Sequence, residues 1–180
     1  MRITADNSIG LVIDIQERLY PVMHNKEVLA HNTAKLLQGL RILNIPVLVT
    51  QQYSKGLGNT IGEVAQHIEH FGFTEKMSFS CCDEVLFVNK INELKRKQII
   101  ICGIEAHVCV LQTVIDLKEK GFIPVVVTDC VSSRKEEDKN TAIERMRFEG
   151  AILTSYESIL FELCRYADTE GFKAISKLVK

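Results

Sequence analysis

The stretch Ile99–Val110, IIICGIEAHVCV, decides the fold and also points to where the chemistry lies. It begins as a run of apolar, mostly β-branched residues, which is typical of a strand buried on both faces of a parallel sheet. The run breaks at a glycine and is followed closely by Glu105, His107 and Cys109. We therefore predict a buried strand over Gln98–Cys102 whose exit carries polar and reactive side chains.

The same pattern recurs along the whole chain, because apolar strand-like runs alternate with segments of helical period. Such alternation predicts an α/β fold: a three-layer αβα sandwich around a doubly wound, Rossmann-like parallel sheet of six strands, in a single domain over residues 1–180. The predicted strands are Ile9–Ile15, Ile45–Gln52, a short one within Phe73–Phe79, Gln98–Cys102, Phe122–Cys130 and Ala151–Ser155. The predicted helices include Lys26–Leu43, Ile61–His70, Asp83–Lys97, one ending at Lys120 and Glu136–Gly150.

Composition narrows the classes of function. The chain has 180 residues, of which 46% are hydrophobic and 25% charged, and its net charge is −1. This balance argues against disorder and gives no electrostatic reason to expect a nucleic-acid or membrane partner. The first ten residues lack the apolar segment of a secretory signal, so we expect a cytoplasmic protein.

The six cysteines are expected to be reduced thiols, because a chain of this size does not need disulfides to fold. Cys102 and Cys130 lie in apolar strand-like runs and are interpreted as small buried hydrophobic residues. The full set is Cys81, Cys82, Cys102, Cys109, Cys130 and Cys164.

Parallel sheets bind ligands beyond the carboxyl ends of their strands, so the residues that follow the strands are the candidates for chemistry. Asp14 follows the first strand, and a carboxylate beside so apolar a run is either a loop-ordering cap or a general base. Cys109 is expected in the first turn of a helix, where the thiol is either packing or a nucleophile with a lowered pKa. His107 is interpreted as a wall or surface residue, since its spacing from the cysteines does not suit a metal.

Three segments together resemble a known family. They are LVIDIQERL with Asp14, TEKMSFS with Lys76 and ICGIEAHVCV with Cys109, and they resemble the isochorismatase-like cysteine hydrolases. The later segments VTDCVSSR (Val127–Arg134) and GAILTSYESILFEL are similar to that family in the same order. The closest likeness is to its metal-free isochorismatase domain-containing subgroup.

This resemblance implies a catalytic triad in which Cys109 is the nucleophile, Asp14 the general base and Lys76 the cation beside them. It also implies a cis peptide bond between Ile104 and Glu105, which would turn the Glu105 N–H inward to form an oxyanion hole with the N–H of Cys109. The implied reaction is hydrolysis of a small amide or ureido-type carbonyl compound through a covalent thioester.

The sequence departs from members of the family in three places. True isochorismatases lack the nucleophilic cysteine, so isochorismate hydrolysis is not expected for this chain. Many amidohydrolases of the family have Thr where this chain has Ala106. The segment VTQQYSKGLGN lacks the Asp and His of the nicotinamidase metal motif, so neither a metal nor another cofactor is expected. Substrate contacts are predicted for Gln16, Tyr53 and Phe79.

The family also implies a homo-oligomer, from a dimer or tetramer to a larger ring, with Phe172–Val179 as a candidate interface. Two other classes of function stay open at this point. One is a non-catalytic binding or regulatory protein on a hydrolase fold. The other is a thiol redox sensor that pairs Cys109 with Cys81, Cys82 or Cys102.

Overall fold

The structure is a computed structural model that describes residues 1–180, and it is built on one six-stranded sheet. All paired strands run parallel, as continuous apolar runs buried on both faces require. The strands are β1 (Ser8–Ile13), β2 (Val47–Gln52), β3 (Thr74–Lys76), β4 (Gln98–Ile104), β5 (Ile123–Ser132) and β6 (Ile152–Thr154). Their order in the sheet is β3-β2-β1-β4-β5-β6, which confirms the doubly wound α/β prediction.

Helices cover both faces of the sheet and enclose two hydrophobic clusters. The α-helices are α1 (Lys26–Ile42), α2 (Ser54–Leu57), α3 (Gly62–Ala65), α4 (Val85–Glu93), α5 (Leu111–Glu119), α6 (Glu136–Phe148), α7 (Tyr156–Cys164) and α8 (Glu170–Val179). One cluster is formed with α1, α3, α7 and α8, and the other with α4, α5 and α6. None of these helices is both long enough and apolar enough to cross a bilayer.

The strand that contains the opening stretch is longer than predicted. β4 continues through Gly103 and Ile104, and Ile104 pairs with Ser132 after a register shift in β5. Gly103 has a φ of 148°, and a Cβ atom there would lie 2.4 Å from the carbonyl oxygen of Ile13. Only glycine lets the end of β4 approach β1 this closely.

The elements before β4 are shorter than predicted. The helix expected over Ile61–His70 is the single turn α3, and the one expected over Asp83–Lys97 is α4.

The segment after β4 also differs from the prediction. Cys109 was expected in the first turn of an α-helix, but it lies in a π-helical turn (Ala106–Val110) that precedes α5. This turn lengthens the connection between the end of β4 and the helix.

The sheet has its topological switch between β1 and β4, since the chain winds outward from there in both directions. Ligand sites of such sheets lie beyond the strand ends at this point. Asp14 directly follows β1 and has a φ of 53°. Lys76 ends β3, and the turn that carries Cys109 follows β4, so the fold brings all three residues to one edge of the sheet.

Candidate active site

A buried ion pair lies at the centre of this edge. The Oδ2 atom of Asp14 is 2.6 Å from the Nζ atom of Lys76, and both side chains have no exposed surface. The two residues come from strands separated by β2. Because removing two charges from water is costly unless they are paired and hydrogen-bonded, the surroundings of this pair matter as much as the contact itself.

Thr50 of β2 holds the other carboxylate oxygen. Its hydroxyl donates to Asp14 Oδ1 at 2.9 Å, and the thiol of Cys81 lies 3.7 Å from the same hydroxyl oxygen. Asp14 Oδ2, by contrast, accepts no hydrogen bond of regular geometry. Burial raises the pKa of Asp14, and the nearby charge of Lys76 opposes this only in part. The carboxylate therefore has one oxygen held by the Thr50 hydroxyl and one paired with the Lys76 ammonium group.

Lys76 is held by uncharged oxygens. Its ammonium group donates to Gln52 Oε1 at 2.7 Å and to the carbonyl oxygens of Ser78 and Phe79, each at 3.1 Å. Burial lowers the pKa of Lys76, but its pairing with the Asp14 carboxylate and the nearby cysteine thiols outweigh this effect and leave the pKa raised. The side chain is therefore a cation at neutral pH.

Gln16 does not face a substrate pocket, which corrects the prediction made for it. The residue is fully buried, and its amide donates to the carbonyl oxygens of Gln52 and Gly58 at 3.0 and 2.7 Å. Its Oε1 atom accepts from the Gln52 N–H at 2.8 Å. Since every polar atom of the amide is engaged with backbone, Gln16 serves the structure around Gln52.

The Cys109 thiol lies beside Asp14 and Lys76 and is only 6% exposed. Burial and the charge of Asp14 raise its pKa to about 12, and the charge of Lys76 counteracts this only partly. The expected lowering of the thiol pKa is therefore wrong for the free protein. The sequence indicated a helix terminus and a lysine, but it did not show how deeply the thiol is buried.

The segment before Cys109 has an unusual backbone. The peptide bond between Ile104 and Glu105 is cis, at the position that the resemblance implied. The Glu105 carboxylate accepts from the side chain of Arg134 at 2.9 Å and from its N–H at 3.3 Å. The N–H of Glu105 itself donates to no other group of the chain.

The remaining candidates lie around this centre. The side chains of Tyr53 and Phe79 are 45% and 54% exposed, and both residues contact Lys76 through their backbone. They therefore stay candidates for substrate contacts. The Nδ1 atom of His107 is 2.9 Å from the Ser133 hydroxyl, and the ring is half-buried, as expected for a wall residue. Ala106 is fully buried in the second hydrophobic cluster.

All six cysteines are unpaired. Cys102 and Cys130 are buried in the first hydrophobic cluster, which confirms their interpretation as core residues. Sequence reasoning missed Thr50 and Gln52, and it considered Cys81 only as one of three possible redox partners of Cys109. A signal for these two residues was present, because the strand β2 changes from apolar residues to the polar residues TQQ at its carboxyl end.

Residues 8–158 match the isochorismatase domain. The chain belongs to the isochorismatase family of hydrolases. It is 39% identical over 183 residues to a secreted isochorismatase effector, Isc1, of Phytophthora sojae, a match that covers 99% of this chain and 87% of the relative. It is 38% identical over 178 residues to isochorismatase domain-containing protein 2 of Danio rerio, a match that covers 99% of this chain and 89% of the relative.

Solved structures of the isochorismatase fold match equally fully. A structure described as MAR1 ribonuclease from Caenorhabditis elegans superposes with a TM-score of 0.94 at 37% identity, covering 99% of this chain and 92% of that one. YcaC from Pseudomonas aeruginosa, solved with hexane-2,5-diol and covalent acrylamide, gives a TM-score of 0.92 at 26% identity, covering 98% and 91%. The whole chain thus has the architecture of this family.

Proposed function

We propose that this isochorismatase-family protein is a cysteine hydrolase that cleaves a small amide or ureido-type carbonyl compound, with Asp14, Lys76 and Cys109 as its catalytic residues. The observation that carries the proposal is the fully buried ion pair between Asp14 and Lys76, 2.6 Å apart, beside the thiol of Cys109. Buried charges are rare in proteins and concentrate where chemistry needs them.

In the first half of the proposed reaction, Asp14 Oδ2 takes the proton of the Cys109 thiol while the sulfur attacks the substrate carbonyl carbon. The negative charge that develops on the carbonyl oxygen is accepted by the N–H groups of Glu105 and Cys109. The tetrahedral intermediate then collapses. Asp14 returns its proton to the leaving amine, and a thioester forms at Cys109.

In the second half, Asp14 takes a proton from a water molecule that attacks the thioester carbonyl. The carbon–sulfur bond breaks, and the proton returns from Asp14 to the Cys109 sulfur, which restores the thiol. Lys76 does not transfer a proton in this scheme. Its positive charge stabilises whichever neighbour is negative at each step, the carboxylate or the thiolate.

The pKa directions support this order of events. Burial and the charge of Asp14 raise the pKa of the Cys109 thiol, which favours a neutral thiol at rest and proton transfer to Asp14 during substrate attack. Burial raises the pKa of Asp14, which makes the carboxylate a better base than one in water.

The relatives support a reactive nucleophile and leave the substrate open. The Pseudomonas aeruginosa structure contains covalent acrylamide, an electrophile of the kind that thiolates attack. The Caenorhabditis elegans relative is described as a ribonuclease. We favour a small molecule over RNA for this chain because its net charge is −1 and the Cys109 thiol is only 6% exposed.

A homo-oligomer and a cytoplasmic location stay predictions. The exposed apolar side chains of Met77, Val85 and Leu86, between 68% and 72% exposed, favour a subunit contact close to the proposed site.

The proposal is tested by incubating a metabolite extract with the wild type and with Cys109→Ala, and comparing which compounds disappear. We expect one or a few small carbonyl compounds to be consumed by the wild type alone. RNA is assayed separately, and hydrolysis of RNA that needs Cys109 would replace the substrate class proposed here. Equal depletion by both proteins, or turnover by neither across a broad amide and ester panel, would favour a binding or regulatory role.

The position of Cys81 identifies one candidate disulfide partner for Cys109 if the protein is a redox sensor. Of the three partners considered for Cys109, Cys81 is the one beside the site, since its thiol contacts Thr50 and lies close to both Lys76 and Cys109. Intact-mass analysis after treatment with dilute hydrogen peroxide, followed by peptide mapping, shows whether a disulfide forms between these two cysteines. A rapid and reducible disulfide would favour the sensor over the hydrolase.

A further inference from the structure

Four oxygen atoms surround the ammonium group of Lys76, which has three N–H bonds to give. The hydrogen bonds of regular geometry go to the amide oxygen of Gln52 and to two backbone carbonyls. The fourth oxygen, Asp14 Oδ2, forms the ion pair with the ammonium group at 2.6 Å. Three neutral acceptors therefore position the ammonium group together with Asp14, which alone contributes charge.

Gln52 is the one side chain among these neutral acceptors, and it is itself fixed from two sides. Its Nε2 atom donates to the carbonyl oxygen of Met77 at 2.9 Å. Its own N–H and C=O are both bonded to the buried amide of Gln16, at 2.8 and 3.0 Å. The amide oxygen that faces Lys76 is thereby held in one orientation.

The need for such a fixed acceptor follows from the proposed reaction. Asp14 alternates there between a carboxylate and a neutral acid, so the ion pair with Lys76 is lost each time Asp14 takes a proton. A lysine held by Asp14 alone would then lose its partner at the moment when its charge is needed beside the thiolate.

We propose that Gln52 is a positioning residue for Lys76, with Gln16 as its support. The amide oxygen keeps the ammonium group in place while Asp14 changes charge. Because the amide is neutral, it does not compete with the carboxylate or the thiolate for the positive charge. This inference rests on the proposed function, and it extends that function to two residues of no assigned role.

The charged and titratable groups around Lys76 come from three segments. They are Asp14 after β1, Cys81 and Glu84 before α4, and Cys109 in the π-helical turn. Glu84 is the outermost, and its Oε1 accepts from the Met77 N–H and the Ser78 hydroxyl at 3.1 and 2.9 Å. A change in the charge of residue 52 therefore affects the pKa values of only these few groups and of Lys76.

The test measures the pH dependence of Cys109 alkylation by iodoacetamide, followed by peptide mass spectrometry, and so needs no substrate. Gln52→Glu places a second negative charge against Lys76 and should slow alkylation about 10-fold at a pH below the thiol pKa, which equals one pKa unit. Gln52→Met removes the acceptor without adding charge, and we expect slowing of about 3-fold.

Gln51→Met is the matched control. Gln51 is the neighbouring glutamine of the same strand and is fully buried, whereas Gln52 is half-buried; the Gln51 amide bonds Thr60 and Ser54 at 3.0 Å and does not contact Lys76. Its substitution should leave the alkylation profile unchanged, even if it lowers the melting temperature as much as Gln52→Met does. If Gln52→Glu does not fold, Gln52→Asn withdraws the amide oxygen from Lys76 while staying neutral and should change the profile as Gln52→Met does.

Two outcomes separate the failure of this inference from that of the proposed function. Suppose that Lys76→Met shifts the pH profile of Cys109 alkylation but the profiles of the Gln52 variants equal that of the wild type. The positioning role of Gln52 is then overturned, and the proposed triad stands. If Lys76→Met also leaves the profile unchanged, the cation does not act on the thiol, and both proposals fail together.

Discussion

Cys102 and Cys109 lie on either side of the turn that ends β4, and they differ in ways that burial does not explain. They are 1% and 6% exposed, and burial is the main cause that raises the pKa of each thiol to about 12. The Cys102 thiol contacts the carbonyl oxygen of Leu11, at 3.6 Å, and has no charged partner, whereas Cys109 faces Asp14 and Lys76. Burial thus raises the pKa of both thiols, but only Cys109 has a carboxylate and an ammonium group beside it.

The largest expected difference between the two thiols is in turnover. Cys109→Ala should reduce the hydrolysis rate of the substrate found by depletion screening by on the order of 10⁴-fold, since the nucleophile is lost. Cys102→Ala should keep nearly all of the rate and lose about 1 kcal/mol of unfolding free energy through lost packing. Steady-state kinetics and urea denaturation of both variants measure this, and a similar loss of rate in both would remove the distinction.

The ion pair that distinguishes Cys109 from Cys102 can itself be broken. Lys76→Met should lower the unfolding free energy by about 3–5 kcal/mol, because Asp14 is left buried without its partner. The double variant Asp14→Asn, Lys76→Met should cost less than the sum of the two single changes. Denaturation of all four proteins measures the coupling, and strictly additive losses would show that the pair does not act as a unit.

A smaller effect should be common to both thiols. Folding raises the pKa of each thiol from its ordinary value of 9.0 to about 12, because the folded state favours the neutral form. Below pH 9 both thiols are neutral in the folded and the unfolded chain, so neither reduces the stability of the fold. Stability is lost as the pH rises toward 12, and for each thiol the loss amounts to about 1.4 kcal/mol for each pH unit above the unfolded pKa.

Cys102→Ala and Cys109→Ala should therefore each reduce, by about 1 kcal/mol, the stability that the protein loses between pH 8 and pH 10. Urea denaturation at the two pH values measures this quantity. Unequal reductions would mean that the thiols differ in burial or acidity as well as in neighbours.

The smallest effect should be at the surface next to Cys109. Arg134→Ala breaks the contact with Glu105, but the arginine side chain is 61% exposed, so we expect a loss of less than about 1 kcal/mol. Arg145→Ala removes a similarly exposed arginine from its pair with the more exposed Glu149, at 3.6 Å, and serves as the control. A loss of unfolding free energy clearly larger than that of Arg145→Ala would show that the turn carrying Cys109 is stabilised by the Arg134–Glu105 contact more than the exposure of Arg134 indicates.

Much of this arrangement could be predicted from the sequence. The continuous apolar runs predicted a parallel sheet, and the rule that ligands lie beyond strand ends directed attention to Asp14, Lys76 and Cys109. The family resemblance then predicted the fold and the family that the comparisons show. These inferences depend on the pattern of apolar residues along the chain and on general rules for parallel sheets, both of which can be applied to a single sequence.

The contacts between strands could not be predicted, because they depend on register. Thr50 lies opposite Ile13, next to Asp14, and Gln52 lies opposite Lys76, only because β2 pairs with its neighbours as it does. A shift of one residue would turn both side chains away. The direction of the Cys109 pKa was missed for a related reason, since burial follows from packing between distant segments.

The position of Lys76 at the margin of the sheet has a further consequence. β3 is three residues long and pairs only with β2, whereas Asp14 and Cys109 follow the central strands β1 and β4. Short edge segments open locally at a lower free energy than the central sheet. We therefore expect β3 to open at a lower free energy than the central strands, and such an opening would move Lys76 away from Asp14 while the core stays folded. The protection of the β3 amides against hydrogen exchange reports the free energy of that step.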